Sequence, residues 1–235
     1  MSYYWQLLHL AAGKLLLPAH FLLHWQSGDF LPVPLNSVLG VESHNLDLFL
    51  CGEERLHSLY ERHRLGHNAV VCEGVMGFYD GVGGSTTQAS AWHVANTLKL
   101  PVLLVVRPKG ASLTLAAQIK GLCSFRENSW IQGIFLNDCS PTLFRSLAPM
   151  LEKETGLPVL GYLPHMEEAA FESRHLGLYT AREIEGLQQC IDALAQKLEE
   201  TTDMERLLKL FAGRESKSTL NPIHPPEKAR IAVAH

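Results

Sequence analysis

The sequence lacks any close pairing of cysteines. Its five cysteines, an odd number, lie far apart along the 235 residues, and none forms a CxxC pair. This spacing argues against a disulfide framework and a cysteine-rich zinc site, and it favours reduced thiols in a cytoplasmic protein. The twelve histidines are scattered without the spacing of metal ligands, so they do not indicate a metal-histidine centre.

An excess of positive charge is also missing. The chain carries 20 Lys and Arg residues against 24 Asp and Glu residues, a formal net charge of -4. Proteins that bind nucleic acid carry basic patches, so this composition gives no reason to expect a nucleic-acid partner. The length of 235 residues and the hydrophobic fraction of 46% are sufficient for one large α/β domain or two small ones.

A long uninterrupted apolar run is absent as well. Residues 5–25 (WQLLHLAAGKLLLPAHFLLHW) come nearest, but Lys14 and Pro18 interrupt them and three histidines are spread along them. A membrane-spanning helix needs about twenty mostly apolar residues, and neither a basic leader nor a small-residue cleavage site flanks this stretch. We therefore expect no membrane partner.

The sequence also lacks a phosphate-binding loop of the Walker type, GxxxxGK[ST]. The nearest candidate is the pair Gly13-Lys14. It has Leu15 where Ser or Thr should hold Mg²⁺, and Leu8 where the first glycine belongs. The lysine that grips phosphate in such loops is therefore not found in the sequence.

From about residue 66 the chain does contain a regular alternation of strand-like and helix-like segments. Strands are predicted at residues 69–72, 101–106, 130–136 and 157–163, and helices at residues 86–98, 110–122 and 141–154. Continuous apolar runs such as PVLLVV are typical of strands that are buried on both faces. The pattern predicts an α/β fold, a parallel sheet flanked by helices.

The C-terminal part has a different pattern. Residues 181–211 are predicted to be helical, with a break at Thr201-Thr202 and with Asp203 as the N-cap of the second helix. Residues 213–228 are polar and proline-rich, which is the composition of a linker. The strand-like residues 229–235 (ARIAVAH) then predict the start of another domain.

Residues 73–90 (EGVMGFYDGVGGSTTQAS) carry five glycines and directly follow the predicted strand AVVC. Ligands of parallel α/β sheets bind beyond the carboxyl ends of the strands, where Glu73 falls. Its carboxylate suits Mg²⁺, and Asp80 lies in the same loop. Ser85 and Thr86 begin the predicted helix, whose N-terminal N–H groups suit an anion. The alternative interpretation is a plain surface turn with Ser85 as an N-cap.

Several motifs together resemble the signature of cobyrinate a,c-diamide synthases, the amidotransferases of corrin and related tetrapyrrole synthesis. These motifs are VCEGVMGFYDG (71–81), GIFLN (133–137), LPVLGYLP (157–164), ESRHLGL (172–178) and the final ARIAVA. The resemblance extends from near Gly28 onward. Nickel-sirohydrochlorin and hydrogenobyrinate diamide synthases are close enough that the tetrapyrrole itself stays open. MinD-like ATPases fit the YDG and RHLGL segments less well.

The resemblance implies an ATP-dependent amidoligase of cobalamin biosynthesis. Such an enzyme uses ATP and Mg²⁺ to phosphorylate the a- and c-acetate carboxylates of a corrinoid or related tetrapyrrole. A glutaminase domain or subunit supplies the ammonia that displaces the phosphate, and a homodimer is a further expectation. The fold implied is P-loop NTPase-like, similar to dethiobiotin synthetase, but without the P-loop itself.

The resemblance also implies a domain organisation. Residues 1–25 are unassigned, residues 26–212 form the ATPase-like synthetase domain, residues 213–228 form the linker, and residues 229–235 begin a glutaminase domain. The P-loop of the family would fall before Met1, so we expect a truncated form with impaired activity. A non-catalytic tetrapyrrole-binding or partner protein derived from this family is the alternative.

Individual residues are carried over from the family by their motifs. Glu73 and Asp29 match the Mg²⁺ ligands. Asp80 matches a catalytic residue, substrate-binding positions fall on Phe30, Leu31, Tyr79 and Asp80, and Asn137 joins Ser85 and Thr86 as nucleotide-binding candidates. An ordinary strand-end asparagine remains the alternative for Asn137. The chain departs from the family pattern at Gly28, Pro32 and His44, which replace a proline, an aspartate and an arginine.

Overall fold

The computed structural model describes residues 22–26, 42–65, 67, 69–74, 77–167 and 187–211. Within these residues there are six strands and six α-helices. The strands are β1 (Leu22–Gln26), β2 (Glu42–Asn45), β3 (Ala69–Glu73), β4 (Val102–Val106), β5 (Ile131–Asn137) and β6 (Val159–Leu163). The helices are α1 (Leu48–Arg64), α2 (Ala91–Leu98), α3 (Leu113–Ser124), α4 (Pro141–Thr155), α5 (Leu187–Thr201) and α6 (Met204–Phe211), and a short 3₁₀ turn spans Val82–Gly84.

All the described strand pairs are parallel. One hydrogen-bonded set has the order β2-β1-β3 and the other has the order β4-β5-β6. Because parallel neighbours need crossover connections, helices separate β3 from β4, β4 from β5 and β5 from β6. The predicted fold class, an α/β architecture of parallel strands flanked by helices, is confirmed.

The larger core lies around β5. This strand is the middle one of its set, and five consecutive residues from Gly133 to Asn137 are buried. Helices α3 and α4 cover it with Leu115, Ile119 and Leu151, which are at most 4% exposed. Residues 133–136 carry no polar side chain, as expected of a strand segment that is covered on both faces. The run PVLLVV, for which burial on both faces was predicted, forms β4 but is only partly buried.

A second core lies between β3, α1 and α2. Leu56 of α1 is fully buried there together with Val94 and Leu98 of α2, and Val70 and Cys72 of β3 pack against them. Helix α1 begins at the N-cap Asp47, whose carboxylate accepts a hydrogen bond from the Leu50 amide at 3.0 Å.

The structure contains the N-cap and the helix break that the sequence predicts for the C-terminal half. Asp203 caps α6 by accepting a hydrogen bond from the Arg206 amide at 3.0 Å, and the break that separates α5 from α6 lies at Thr202. Both predictions are confirmed. Helix α4 starts after Ser140, whose hydroxyl accepts from the Leu143 amide, and it ends at Gly156 with a left-handed φ of 72°.

Among the described residues, no helix is both long enough and apolar enough to cross a membrane. Of the apolar stretch at residues 5–25, the structure describes only residues 22–25, which belong to β1. The predicted linker (residues 213–228) and the predicted strand-like segment (residues 229–235) lie outside the described residues. So does the predicted helical stretch before α5, residues 181–186.

All five cysteines lie in the described residues, and each is a free thiol. Burial raises the pKa of the Cys72 thiol to about 12. Burial, with the Asp138 carboxylate as a smaller cause, raises the pKa of Cys139 to about 11. These two thiols are therefore protonated at neutral pH, and neither has the lowered pKa of a nucleophilic cysteine.

Candidate active site

The first polar group of the candidate site is Glu73, the last residue of β3. The carboxylate-bearing side chain is buried, with 8% of the residue exposed. In the parallel register Gln26, the last residue of β1, lies opposite Glu73. Strands β1 and β3 therefore end at the same edge of their sheet, and the chain leaves β1 three residues before Asp29. Asp29, Phe30 and Leu31 themselves lie outside the described residues.

The glycine loop (residues 77–90) follows Glu73 and presents Asp80. The Asp80 amide donates a hydrogen bond to the Gly77 carbonyl at 2.9 Å, which closes a tight turn. The Asp80 carboxylate lies so close to Gly77 that a Cβ built on Gly77 would overlap it. Asp80 is exposed to solvent. The turn thus holds a carboxylate at the surface of the loop.

Backbone hydrogen bonds fold the remainder of the glycine loop onto itself. The Gly81 amide donates to the Thr86 carbonyl at 2.8 Å, and the Val82 amide donates to the Gln88 carbonyl at 2.9 Å. Gly84 lies between these bonds with a left-handed φ of 68°. The loop is therefore closed by its own backbone hydrogen bonds.

The predicted start of helix α2 at Thr86 is wrong. The helix begins at Ala91, and its N-cap is Ser90, whose hydroxyl accepts from the His93 amide at 3.2 Å. Ser85 instead ends the 3₁₀ turn, and the Thr86 hydroxyl donates to the Val82 carbonyl at 3.0 Å. The physical reason is that the Thr86 side chain stabilises the turn and Ser90 caps the helix, so the N-terminal amides of α2 lie five residues further along.

Tyr79 fixes the glycine loop to the end of helix α3. Its hydroxyl donates to the Leu122 carbonyl at 2.6 Å. Its ring meets the ring of Phe125 edge to face, with 5.1 Å between the centroids. Burial is the main cause that raises the pKa of the Tyr79 phenol above its ordinary value, so the hydroxyl remains a donor at neutral pH. Tyr79, a predicted substrate-binding residue, thus has a structural contact as well.

A second polar cluster lies at the carboxyl ends of β4, β5 and β6. Asn137 ends β5 and is 6% exposed, and its side-chain oxygen accepts from the Asp138 amide at 3.0 Å. Asp138 takes a left-handed φ of 53°. Its carboxylate forms an ion pair with Arg107, which follows β4, and lies 3.4 Å from Nδ1 of His165, which follows β6. Asp138 therefore joins the ends of three strands.

Among the described residues, no three His, Cys, Asp or Glu side chains form a group that could hold a metal ion. Of the two predicted Mg²⁺ ligands, the structure describes Glu73 alone. A glutamate carboxylate offers the hard oxygen donors that Mg²⁺ prefers, and Mg²⁺ is commonly held by one or two protein carboxylates with phosphate and water completing its shell. Glu73 fits that chemistry.

Sequence comparison relates the chain to known proteins. It is 42% identical to cobyrinate a,c-diamide synthase of Clostridium tetani over 184 aligned residues. The aligned region covers 78% of this chain and 41% of that protein. It is 39% identical to the Clostridium acetobutylicum protein of the same name, over 75% of this chain and 40% of that protein. For the Salmonella typhimurium protein of the same name the identity is 37%, over 74% and 38% of the two chains. The chain belongs to the cobyrinate a,c-diamide synthase family. It spans about two fifths of the length of these relatives. No family model matches the chain.

Within this member of the cobyrinate a,c-diamide synthase family, sequence reasoning missed Arg107, Asp138 and His165. A usable signal existed for two of them, since Arg107 and Asp138 immediately follow strands that were predicted. Polar residues at that position of neighbouring parallel strands meet at one edge of the sheet. His165 follows β6 after Pro164, where no motif identified it.

Replacing Tyr79 by Phe tests the anchor between the glycine loop and α3. The change removes a part-buried hydroxyl and leaves the Leu122 carbonyl without that donor, so we expect a loss of about 1 kcal/mol in the free energy of unfolding. Urea denaturation would measure it. Tyr162→Phe is the matched control, because phenylalanine keeps the ring stacked on Phe144 and should change stability by less than about 0.5 kcal/mol. Equal effects of the two changes would contradict the anchor.

Proposed function

We propose that this chain forms the ATP- and corrinoid-binding part of a cobyrinate a,c-diamide synthase. The observation that carries the proposal is the buried Glu73 at the carboxyl end of β3, followed by a closed glycine loop that presents Asp80. This arrangement occurs in a chain that is 42% identical to the Clostridium tetani protein of that name. The reaction proposed is the ATP- and glutamine-dependent amidation of the a and c acetate carboxylates of a corrinoid.

Glu73 is proposed to hold Mg²⁺ together with Asp29. The parallel register of β1 and β3 supports this pairing, since both strands end at the same edge of the sheet. Burial restricts the rotamers of the Glu73 side chain, so its carboxylate is already oriented before a cation arrives. When bound, Mg²⁺ would neutralise charge on the phosphoryl group that is transferred.

Asp80 is the proposed catalytic residue, and it also contacts substrate. Its exposure on the glycine loop suits a carboxylate that must meet a substrate arriving from solvent. The other substrate-binding residues proposed are Phe30, Leu31 and Tyr79, and the nucleotide-binding residues proposed are Ser85, Thr86 and Asn137. For Ser85 and Thr86 the support is the 3₁₀ turn beside them, since α2 begins further along.

The chemistry requires a nitrogen donor. A carboxylate reacts with ammonia only after its oxygen becomes part of a good leaving group, so the γ-phosphoryl group of ATP is first transferred to that oxygen. Ammonia then attacks the carbonyl carbon, and phosphate leaves as the amide forms. We assign the ammonia to a glutaminase domain or subunit. Glutamine-dependent activity therefore requires that nitrogen donor in addition to the ATP- and corrinoid-binding part.

The test is a calorimetric titration of the chain with ATP, with and without Mg²⁺, for the wild type and for Glu73→Gln. We expect the variant to lose the Mg²⁺-dependent gain in affinity by about tenfold or more, which is about 1.4 kcal/mol. Metal-free ATP binding should be unchanged, because the glutamine amide keeps the size of the side chain. Glu199→Gln, on the exposed face of α5, is the control and should behave as wild type.

A parallel titration with cobyrinate, followed by its visible absorption, separates two functions. Binding of both MgATP and cobyrinate supports the synthase proposal. Binding of cobyrinate without any MgATP binding would replace it by the non-catalytic tetrapyrrole-binding function. Binding of neither would overturn both.

A further inference from the structure

His93 lies where the end of the glycine loop meets helices α1 and α2. Its Nδ1 accepts a hydrogen bond from the Ala89 amide at 3.0 Å. Its Nε2 lies 3.2 Å from the Glu53 carboxylate of α1. The His93 amide is itself capped by the Ser90 hydroxyl. One imidazole thus joins the last residues of the loop to two helices.

These contacts select one protonation state of the ring. An N–H group can donate to Nδ1 only when Nδ1 carries a lone pair and no proton. Nε2 must then carry the hydrogen, which it donates to Glu53. The neutral imidazole with its hydrogen on Nε2 is the form in which both contacts are hydrogen bonds.

The residue held by this bond is conformationally unusual. Ala89 has a φ of 60°, in the left-handed region that residues with a Cβ seldom adopt. It directly follows Gln88, whose carbonyl accepts the Val82 amide and closes the glycine loop. Releasing the Ala89 amide would therefore remove a restraint from a backbone position that needs one, next to the bond that closes the loop.

We propose that neutral His93 is a positioning residue for the glycine loop, and that its protonation releases the loop end and with it the turn that presents Asp80. The role of that turn in catalysis rests on the proposed function, whereas the hydrogen bond to Ala89 does not. His93 itself contacts no reacting atom in this assignment. It acts through the loop.

The direction of the pH effect follows from the groups around the ring. Within the described part of the chain, the titratable side chain that contacts the His93 ring is Glu53, which is 66% exposed. The neighbouring ring is the uncharged Trp92, with 6.3 Å between centroids. Glu53 accepts from Nε2 whether or not Nδ1 is protonated. Acidification therefore changes the contact at Nδ1, where a new N–H would face the Ala89 N–H. The loop is held while Nδ1 carries no proton, and it is released when acidification places a proton there.

Hydrogen exchange of the loop amides, corrected at each pH for the intrinsic exchange rate, tests the proposal without a ligand. We expect the protection of amides in residues 81–89 to fall about tenfold between pH 8 and pH 5.5 in the wild type. His93→Asn places an amide oxygen near the position of Nδ1 and cannot be protonated there, so it should keep the protection at both pH values. His93→Gln puts its oxygen further out and should show low protection at both.

An equal fall of protection in the wild type and in His93→Asn would overturn the proposal. Nitrogen-15 chemical shifts of the His93 ring provide a measurement on the unaltered chain. Nδ1 should appear without hydrogen at pH 8, and a hydrogen on Nδ1 at that pH would also overturn the assignment.

The consequence for the site is measured by the Mg²⁺-dependent affinity for ATP, with wild type and His93→Asn compared at each pH so that titration of the ligand cancels. We expect the wild type to lose affinity relative to the variant at pH 5.5. Equal affinities together with a released loop would refute the positioning role. If no form binds MgATP, the proposed function fails, and the exchange data still decide whether His93 holds the loop.

Discussion

Gly81→Ala is expected to destabilise the protein by about 2–4 kcal/mol and to open the glycine loop. A Cβ built on Gly81 would stand 2.8 Å from both the carbonyl carbon and the amide nitrogen of Gln88, and closer still to the Gln88 oxygen. These are backbone atoms, so no side-chain rotation relieves the overlap. The two sides of the loop must therefore separate. The hydrogen bonds that the Thr86 and Gln88 carbonyls accept from Gly81 and Val82 would then be lost.

The requirement for glycine at position 81 is one of space. Its φ of -111° is accessible to any residue, so alanine has no difficulty with the dihedral angle itself. Gly84 provides the opposite case in the same loop, because its φ is 68° but a Cβ there would meet no atom within 4 Å. Gly84→Ala should therefore cost only about 1 kcal/mol, from the left-handed backbone.

Thermal and urea denaturation of the two variants measure the difference, and hydrogen exchange in residues 81–89 locates it. The larger loss of stability and the wider loss of protection should both belong to Gly81→Ala. A Gly81→Ala variant as stable as Gly84→Ala would show that the loop is open in solution, which would remove the structural support for Asp80 as a fixed group.

The strands from β3 onward could be predicted from the sequence because each is marked by an apolar run within its own residues. An apolar run of strand length, such as residues 102–106, has few alternatives once helices follow it. The N-cap Asp203 and the break before it could be predicted for the same reason. Strand β2, with the sequence ESHN, carries no apolar pattern, and its position at the edge of the β2-β1-β3 set shows why none is required.

Polar residues of the candidate site could be predicted only where they lie at, or just after, the end of one predicted strand. Glu73 and Asp80 were identified because Glu73 ends the β3 strand and Asp80 lies in the loop after it, and the structure places Glu73 at the carboxyl edge. The start of α2 was misplaced because Ser85 and Ser90 are both suitable caps. The choice between them depends on the Thr86 and Gly81 contacts of the folded loop. The position of Asp138 after a predicted strand was a usable signal, but its contacts were not predictable, because Arg107 and His165 follow other strands and such contacts are set by the packing of the whole sheet.

Ile134→Ala is the second change with a large expected effect, a loss of about 2–5 kcal/mol in the free energy of unfolding. Ile134 is fully buried in the middle of β5, and its neighbours in the parallel register are Leu104 on β4 and Val159 on β6. Helices α3 and α4 pack over the same core. Because the surrounding strands are hydrogen-bonded in place, the site can collapse only partly around the missing atoms. Much of the cavity should remain.

The series Ile134→Val and Ile134→Ala separates this cavity effect from a general intolerance of the position. The valine variant removes one methylene-sized group and should cost about 0.5–1.5 kcal/mol, followed by the larger loss for alanine. Leu113→Ala is the control, since Leu113 at the start of α3 is 62% exposed and should change stability by less than about 0.5 kcal/mol. Urea denaturation with a constant m-value would establish that only stability has changed.

The same variants test whether the core positions the polar cluster at the strand ends. Asn137 ends β5 three residues after Ile134, and Asp138 follows it, so loosening this strand should weaken the contacts that Asp138 makes with Arg107 and His165. The Asp138 amide donates a hydrogen bond to the Asn137 side-chain oxygen. Its rate of hydrogen exchange should therefore increase in Ile134→Ala and remain unchanged in Leu113→Ala. An Asp138 amide that stays protected while the protein loses several kcal/mol would show that the contacts of Asp138 with Arg107 and His165 maintain this arrangement without support from the apolar core beneath it.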